Sequence, residues 1–174
     1  PYETSKACTD LIAQSYAKSF NLSILIPRFV NIYGPGDLHF QRLIPKTIKS
    51  IFEDLFPQMW GGKAIRDYLF IDDAIDAYLL LAKTEIRKAD ENGIFNFGGG
   101  NIISVKNLIK KIINVSGKKI EIKKVDEERK GEIGSQYVSF DKATKLLGWK
   151  PKINLDEGLK RTVDWYFEYL YTKK

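Results

Sequence analysis

An α/β fold is predicted for this chain by three observations. Short apolar runs of strand length alternate with longer segments whose apolar residues recur at helical spacing. Breaks rich in Gly and Pro separate many of them. Apolar residues make up 44% and charged residues 29% of the 174, a mixture that suits a folded globular domain.

Residues 2 to 20 read as a helix, with Cys8, Leu11, Ile12, Ser15 and Tyr16 on one stripe and Asn21 as its stop. Cys8, the single cysteine, is expected as a small buried residue of that helix. Leu22 to Ile26 reads as a buried strand ended by Pro27, after which Arg28 to Gly36 leaves the strand for a turn. Arg42 to Glu53 is predicted helical, with Pro45 tolerated near its first turn. Tyr68 to Ile71 is a strand, and Asp72 or Asp73 is expected to cap a helix through Leu81 with Ala74, Ala77, Tyr78 and Leu81 on one face. Ile94 to Phe97 forms a strand closed by Gly98-Gly99-Gly100. Ser104 caps a helix with Leu108, Ile109, Ile112 and Ile113 inward. Ile120, Ile122 and Val125 suggest a lysine-edged strand, and residues 126 to 136 a charged loop. Asp141 is expected to cap a short helix that Gly148 ends. Pro151 opens a linker to a last helix that turns Leu155, Leu159, Val163, Tyr166, Phe167 and Leu170 inward.

The net charge is +6, which favours anionic ligands such as phosphates. The lysines fall in scattered doublets and no nucleic-acid motif accompanies them, so a solvated surface is expected and no nucleic-acid partner. No apolar stretch is long enough to span a membrane, and one cysteine cannot form an internal disulfide; both point to the cytoplasm. His39 has no cysteine or carboxylate cluster around it at metal-ligand spacing, so no metal is expected.

The chemistry is concentrated at Tyr2 and Lys6. Four residues apart on a helix, they share one face. An ammonium beside a phenol favours the phenolate and lets it exchange protons near neutral pH. The same spacing also arises as a plain surface pair. Such a pair so close to the first residue suggests the C-terminal part of a longer protein.

Further motifs follow in order. They are Pro1-Tyr2-Glu3-Thr4-Ser5-Lys6, Arg28-Phe29-Val30-Asn31-Ile32-Tyr33-Gly34-Pro35, Arg66-Asp67-Tyr68 with Asp73, Phe95-Asn96-Phe97-Gly98 and Gly148-Trp149-Lys150-Pro151. Together they resemble the extended short-chain dehydrogenase/reductases, and among them the NAD-dependent nucleotide-sugar epimerases and dehydratases. Gly34-Pro35-Gly36-Asp37-Leu38 followed by Arg42-Leu43-Ile44-Pro45 looks most like the CDP-glucose 4,6-dehydratase branch.

The resemblance implies that residues 1–33 are the C-terminal part of an NAD-binding Rossmann fold, and that 34–174 form mainly a smaller α/β domain for the nucleotide sugar. It makes Tyr2 the acid/base at the sugar C4 hydroxyl and Lys6 the holder of the nicotinamide ribose. Phe29 is expected beside the NAD cofactor. Asn31, Arg66 and Arg129 are expected on the substrate diphosphate, which suits the fork of a guanidinium. Leu43, Ile44 and Pro45 are expected to line the base pocket and Trp60 to flank the base. Arg66 also reads as a surface ion pair with Asp67, and Trp60 as core. The family implies a homodimer through the first helix, with Leu11, Ile12 and Tyr16 buried. The alternative is a non-catalytic nucleotide-sugar-binding fragment or regulator. Residues 1–174 contain no Gly-x-Gly-x-x-Gly phosphate turn.

Overall fold

The computed structural model describes residues 1–84, 93–125, 131 and 133–172. The order begins with α1 (Tyr2–Phe20), β1 (Ile26–Phe29), β2 (Asn31–Tyr33), α2 (Leu43–Phe52) and β3 (Gln58–Trp60). It continues with β4 (Ile65–Arg66), β5 (Tyr68–Phe70), α3 (Ile71–Lys83), β6 (Ile94–Phe97), β7 (Ile103–Ser104) and α4 (Val105–Ser116). It closes with β8 (Lys123–Val125), β9 (Ser135–Gln136), α5 (Asp141–Leu147) and α6 (Leu155–Thr172). The class is the predicted α/β.

Three strand pairs run parallel: β1 with β6, β2 with β5, and β3 with β8. In a fourth group β4 lies between antiparallel β7 and parallel β9. β6 returns to β1, so residues beyond 34 share a sheet with residues 26–29.

The core has two parts. One fills the space between α2, α4 and α6, where Ile48, Ile51, Leu108, Ile109, Ile112, Leu159 and Tyr166 are fully enclosed. The other joins α3, β6 and α5 through Ala74, Ala77, Phe95, Phe97, Ala143 and Trp149. β5 divides them. Its pleat sends Tyr68 and Phe70 to the first core and Leu69 to the second, and all three are buried. A strand covered on both faces reads as a continuous apolar run, as this one does.

Several local expectations change. The strand predicted over Leu22 to Ile26 lies at Ile26–Phe29, with Pro27 inside it. Among the described residues β1 pairs only with β6, so the missing N–H of proline falls on a strand with a free edge. The run after Pro27 stays extended through Tyr33, bent at Val30 where the chain passes from one strand pair to the next. Neither Asp72 nor Asp73 caps α3, whose N-cap is Phe70. The Asp73 carboxylate instead accepts from the Lys152 N–H at 2.9 Å and the Ile153 N–H at 3.0 Å. The Trp149 indole N–H donates to the Asp73 carbonyl at 3.4 Å. This aspartate therefore fastens the Gly-Trp-Lys-Pro turn to α3. Tyr78 is exposed and lies against Phe29. Asp141 is the first residue of α5, not its cap. Cys8 is exposed, because α1 buries none of its residues. Ser104 does cap α4, accepting from the Asn107 N–H, and Gly148 ends α5 in the left-handed region.

Candidate functional site

Tyr2 and Lys6 open α1 on a shared face, with the Lys6 Nζ 5.5 Å from the centre of the Tyr2 ring. Tyr2 is 69% exposed, so its hydroxyl is open to a ligand. The helix is tied to the strand behind it by a fork. Arg28 Nε and Nη2 donate to the two Asp10 oxygens at 2.6 and 2.9 Å. That bond holds the Asp10 carboxyl below its ordinary value and raises the Arg28 guanidinium above its own. The first arginine of the second motif thus positions the helix that carries the first motif.

Down the strand, Phe29 stacks on Phe97 and lies tilted against Tyr78. Asn31 is exposed, and its Nδ2 donates to the Asp67 carbonyl at 3.1 Å. Asn31 and Tyr68 are register partners, so β2 and β5 bring Asn31 to Asp67, the residue that follows Arg66. Arg66 is half-buried on β4, its Nη1 donating to the Ile65 carbonyl at 2.8 Å.

Asp67, 1% exposed, does not turn to Arg66. Its carboxylate accepts from four backbone N–H groups: Tyr68 at 2.8 Å, Gly99 at 3.1 Å, Gly100 at 3.3 Å and Asn101 at 2.8 Å. Asn101 Nδ2 also donates to the Tyr68 carbonyl. The triple glycine is a nest for an internal carboxylate. A Cβ at Gly99 would sit 1.9 Å from the Tyr68 carbonyl oxygen, which explains a residue without a side chain there. Burial pushes the Tyr68 phenol up to about 12, with Arg66 acting weakly the other way. Sequence reasoning missed this clasp. The signal was present as a run of glycine N–H groups that must find an acceptor.

The predicted base-binding residues divide. Ile44 and Pro45 are buried in the first core, while Leu43 is half-buried at the start of α2. Trp60 is half-buried on β3, paired in register with Val125, and Lys46 lies over its ring. Arg129 lies outside the described residues. Among the described residues no group of three or more His, Cys, Asp or Glu is placed to hold a metal, and no helix is long and apolar enough to cross a membrane.

Other proteins are similar to this chain in sequence and in fold. The dTDP-D-glucose 4,6-dehydratase of Mus musculus is 32% identical over 95% of this chain and 47% of its own length. The UDP-glucuronate 4-epimerase of Thermodesulfobacterium geofontis is 32% identical over 95% of this chain and 50% of its own. Among solved structures, UDP-glucose 4-epimerase with UDP-glucose from Thermotoga maritima superposes with a TM-score of 0.88 at 29% identity, over 98% of this chain and 54% of that one. The dTDP-glucose 4,6-dehydratase from Bacillus anthracis, in complex with NAD, gives a TM-score of 0.82 at 29% identity, over 97% and 52%. The chain spans about half the length of the relatives it matches. Residues 1–98, which hold the Tyr2–Lys6 pair, the Arg28 fork and the Arg66–Asp67 strand, match the family model as a unit, and the chain belongs to the NAD dependent epimerase/dehydratase family.

Proposed function

We propose that this chain carries the acid/base pair and the nucleotide-sugar pocket of an NAD-dependent 4,6-dehydratase or 4-epimerase that oxidises the sugar at C4. The observation that carries this reading is the open Tyr2–Lys6 pair on a helix locked by Arg28 to the strand that leads to Asn31 and, through its bond to Asp67, to the segment that holds Arg66. Relatives named for UDP- and dTDP-sugars support it. In this reading residues 1–33, with the β6 strand that pairs to them, belong to the dinucleotide-binding side. Residues 34–174 mainly hold the nucleotide sugar.

The donor set fits NAD. A phenol hydroxyl and an ammonium on one exposed helical face suit the hydroxyls of a nicotinamide ribose, and Phe29 offers an aromatic edge on the adjoining strand. Bound NAD supplies the hydride acceptor. Tyr2 would take the proton from the C4 hydroxyl during oxidation; in an epimerase it would return that proton as C4 is reduced again, whereas in a dehydratase C4 stays a ketone and the hydride goes to C6. Lys6 holds positive charge beside that phenol. Asn31, Arg66 and Arg129 hold the diphosphate, and Leu43, Ile44, Pro45 and Trp60 form the base end. Ile44 and Pro45 support that end from within the core.

We further propose a homodimer through α1, which leaves Leu11, Ile12 and Tyr16 exposed in the single chain. Sedimentation of the whole protein as a monomer at micromolar concentration would count against it. The lone cysteine suits a reducing cytoplasm.

The test uses single-turnover NADH absorbance beside calorimetric binding of the nucleotide sugar. Tyr2→Phe keeps the ring and is expected to lower sugar oxidation by about 10²–10⁴-fold with binding retained. Arg66→Ala is expected to weaken binding by roughly 1.5–3 kcal/mol through loss of a charged donor. A Tyr2→Phe protein that turns over like the parent removes Tyr2 from the chemistry. Binding without turnover in the parent protein would favour a non-catalytic binder.

A further inference from the structure

Lys46 follows the Leu43–Pro45 run, yet neither the motifs nor the family resemblance gives it a role. Helix α2 buries Ile44, Pro45, Thr47, Ile48, Ile51 and Phe52, so Lys46 is left on the other side, with Leu43 one turn before it. Its Nζ stands 4.2 Å from the centre of the Trp60 ring. The next lysine, Lys49, is occupied differently: it pairs with Glu53 at 3.8 Å and lies over Phe40. Among the described residues no carboxylate pairs with Lys46. Its ammonium is steered by an aromatic face, which orients a cation without using up its three N–H donors.

We propose that Lys46 is a base-reading residue that, held by Trp60, selects a pyrimidine with two ring carbonyls, uracil or thymine, over cytosine. This rests on the nucleotide-sugar reading above, with the base at the Leu43–Trp60 end. An ammonium only donates. Uracil and thymine carry a carbonyl at C4, an acceptor for the ammonium. Cytosine carries an amino donor at C4, which an ammonium repels; the C2 carbonyl is common to all three bases, so the selection acts at the C4 group. Selection by a fixed donor works through the mismatched group it leaves without a partner. Cytosine, the base suggested by the run from Gly34 to Pro45, is therefore the informative competitor.

The experiment is calorimetric titration of the whole natural protein, and of its Lys46→Met and Lys46→Arg variants, with UDP, dTDP, CDP and inorganic pyrophosphate. Methionine keeps an unbranched stem over Trp60 and removes the charge, whereas arginine keeps a donor-only cation. In the parent, UDP or dTDP is expected to bind about tenfold or more tighter than CDP, the scale of one charged hydrogen bond. The separate UDP and dTDP titrations distinguish the two bases. Lys46→Met is expected to abolish that preference and to leave pyrophosphate binding unchanged, and Lys46→Arg to restore most of it. A parent that prefers CDP, or a UDP-to-CDP ratio that survives Lys46→Met, overturns the proposal and leaves the nucleotide-sugar reading standing. Binding of no nucleotide by the parent overturns both.

Discussion

Helices α1 and α6 differ by one residue in length, and each carries a stripe of apolar residues at helical spacing. Their fates are opposite. α6 buries Leu155, Gly158, Leu159, Thr162, Val163 and Tyr166, whereas α1 buries nothing. Periodicity states which face of a helix is apolar. It does not state what covers that face. For α6 the cover is α2 and α4, whose own stripes meet it in one core. For α1 the described residues provide no such cover, and Leu11 is 65% exposed. The helix with the acid/base pair is thus the one least held by packing, and α6, held by a full stripe, carries none of the proposed chemistry.

The sharpest way to break this contrast is to truncate both stripes in the 174-residue chain. Leu159 is fully enclosed, so Leu159→Ala is expected to cost about 2–5 kcal/mol by urea denaturation, from lost burial and the cavity left behind. Leu11→Ala is expected to stay within about 0.5 kcal/mol, as for exposed sites in general. Equal losses would mean that α1 is covered in this chain after all. In the whole protein, a larger loss for Leu11→Ala than in this chain measures whatever then covers the helix.

The buried region also carries an alkaline weakness. Burial pushes the phenols of Tyr33, Tyr68 and Tyr166 upward, Tyr68 to about 12. Tyr166 donates to the Asp37 carbonyl. Among the described residues Tyr33 has no partner for its hydroxyl, which is pressed against Gly158, where a Cβ would come within 2.2 Å of it. The folded values lie above the unfolded one of roughly 10. Their contribution is therefore fully present below pH 10 and is lost as pH rises from there towards 12. Each such group costs up to about 1.4 kcal/mol per pH unit in that window. Melting temperatures from pH 8 to 12 are expected to fall less steeply for Tyr68→Phe than for the parent. Tyr33→Phe removes an unpaired buried hydroxyl and is expected to stabilise the chain by about 1 kcal/mol at neutral pH. A loss of stability there would mean that the hydroxyl is bonded.

Much of this fold was legible because its signals are local. Ser104 and Gly148 announce helix ends through their own backbone needs, and the stripes of α4 and of α6 as far as Tyr166 name core residues that the structure then buries, while Phe167 and Leu170 are only half-buried. The misreadings share a physical cause, since each depends on a partner far along the chain. Asp73 looks like a cap but serves a turn some eighty residues later. Pro27 looks like a strand end but is tolerated because one edge of β1 is unpaired among the described residues. At the site, the helical pairing of Tyr2 with Lys6 is local and was readable. The Asp67 clasp and the position of Lys46 over Trp60 join segments that only the fold brings together.

The smallest expected effect concerns the one ion pair that leaves α1 for the rest of the chain among the described residues, Asp10 with Arg28. Both side chains are partly open to water, the arginine 47% exposed, so the pair is expected to add only about 0–1 kcal/mol and to weaken as salt screens it. The Asp10 carboxyl titrates below its ordinary value, chiefly because Arg28 donates to it. Its contribution is therefore present above the unfolded value of roughly 3.9 and is lost as pH falls through the lower folded one. Melting curves between pH 2 and 5 should show a shallower acid limb for Asp10→Asn than for the parent, and added salt should shrink the difference. The consequence for chemistry is larger than for stability. Among the described residues α1 buries none of its own, so a loosened fork lets Tyr2 and Lys6 shift relative to Asn31 and Arg66. Asp10→Asn is therefore expected to lower single-turnover oxidation by the whole protein more than it lowers nucleotide-sugar binding. Equal effects on both would show that the fork serves the fold alone, and that α1 is held by something other than Arg28.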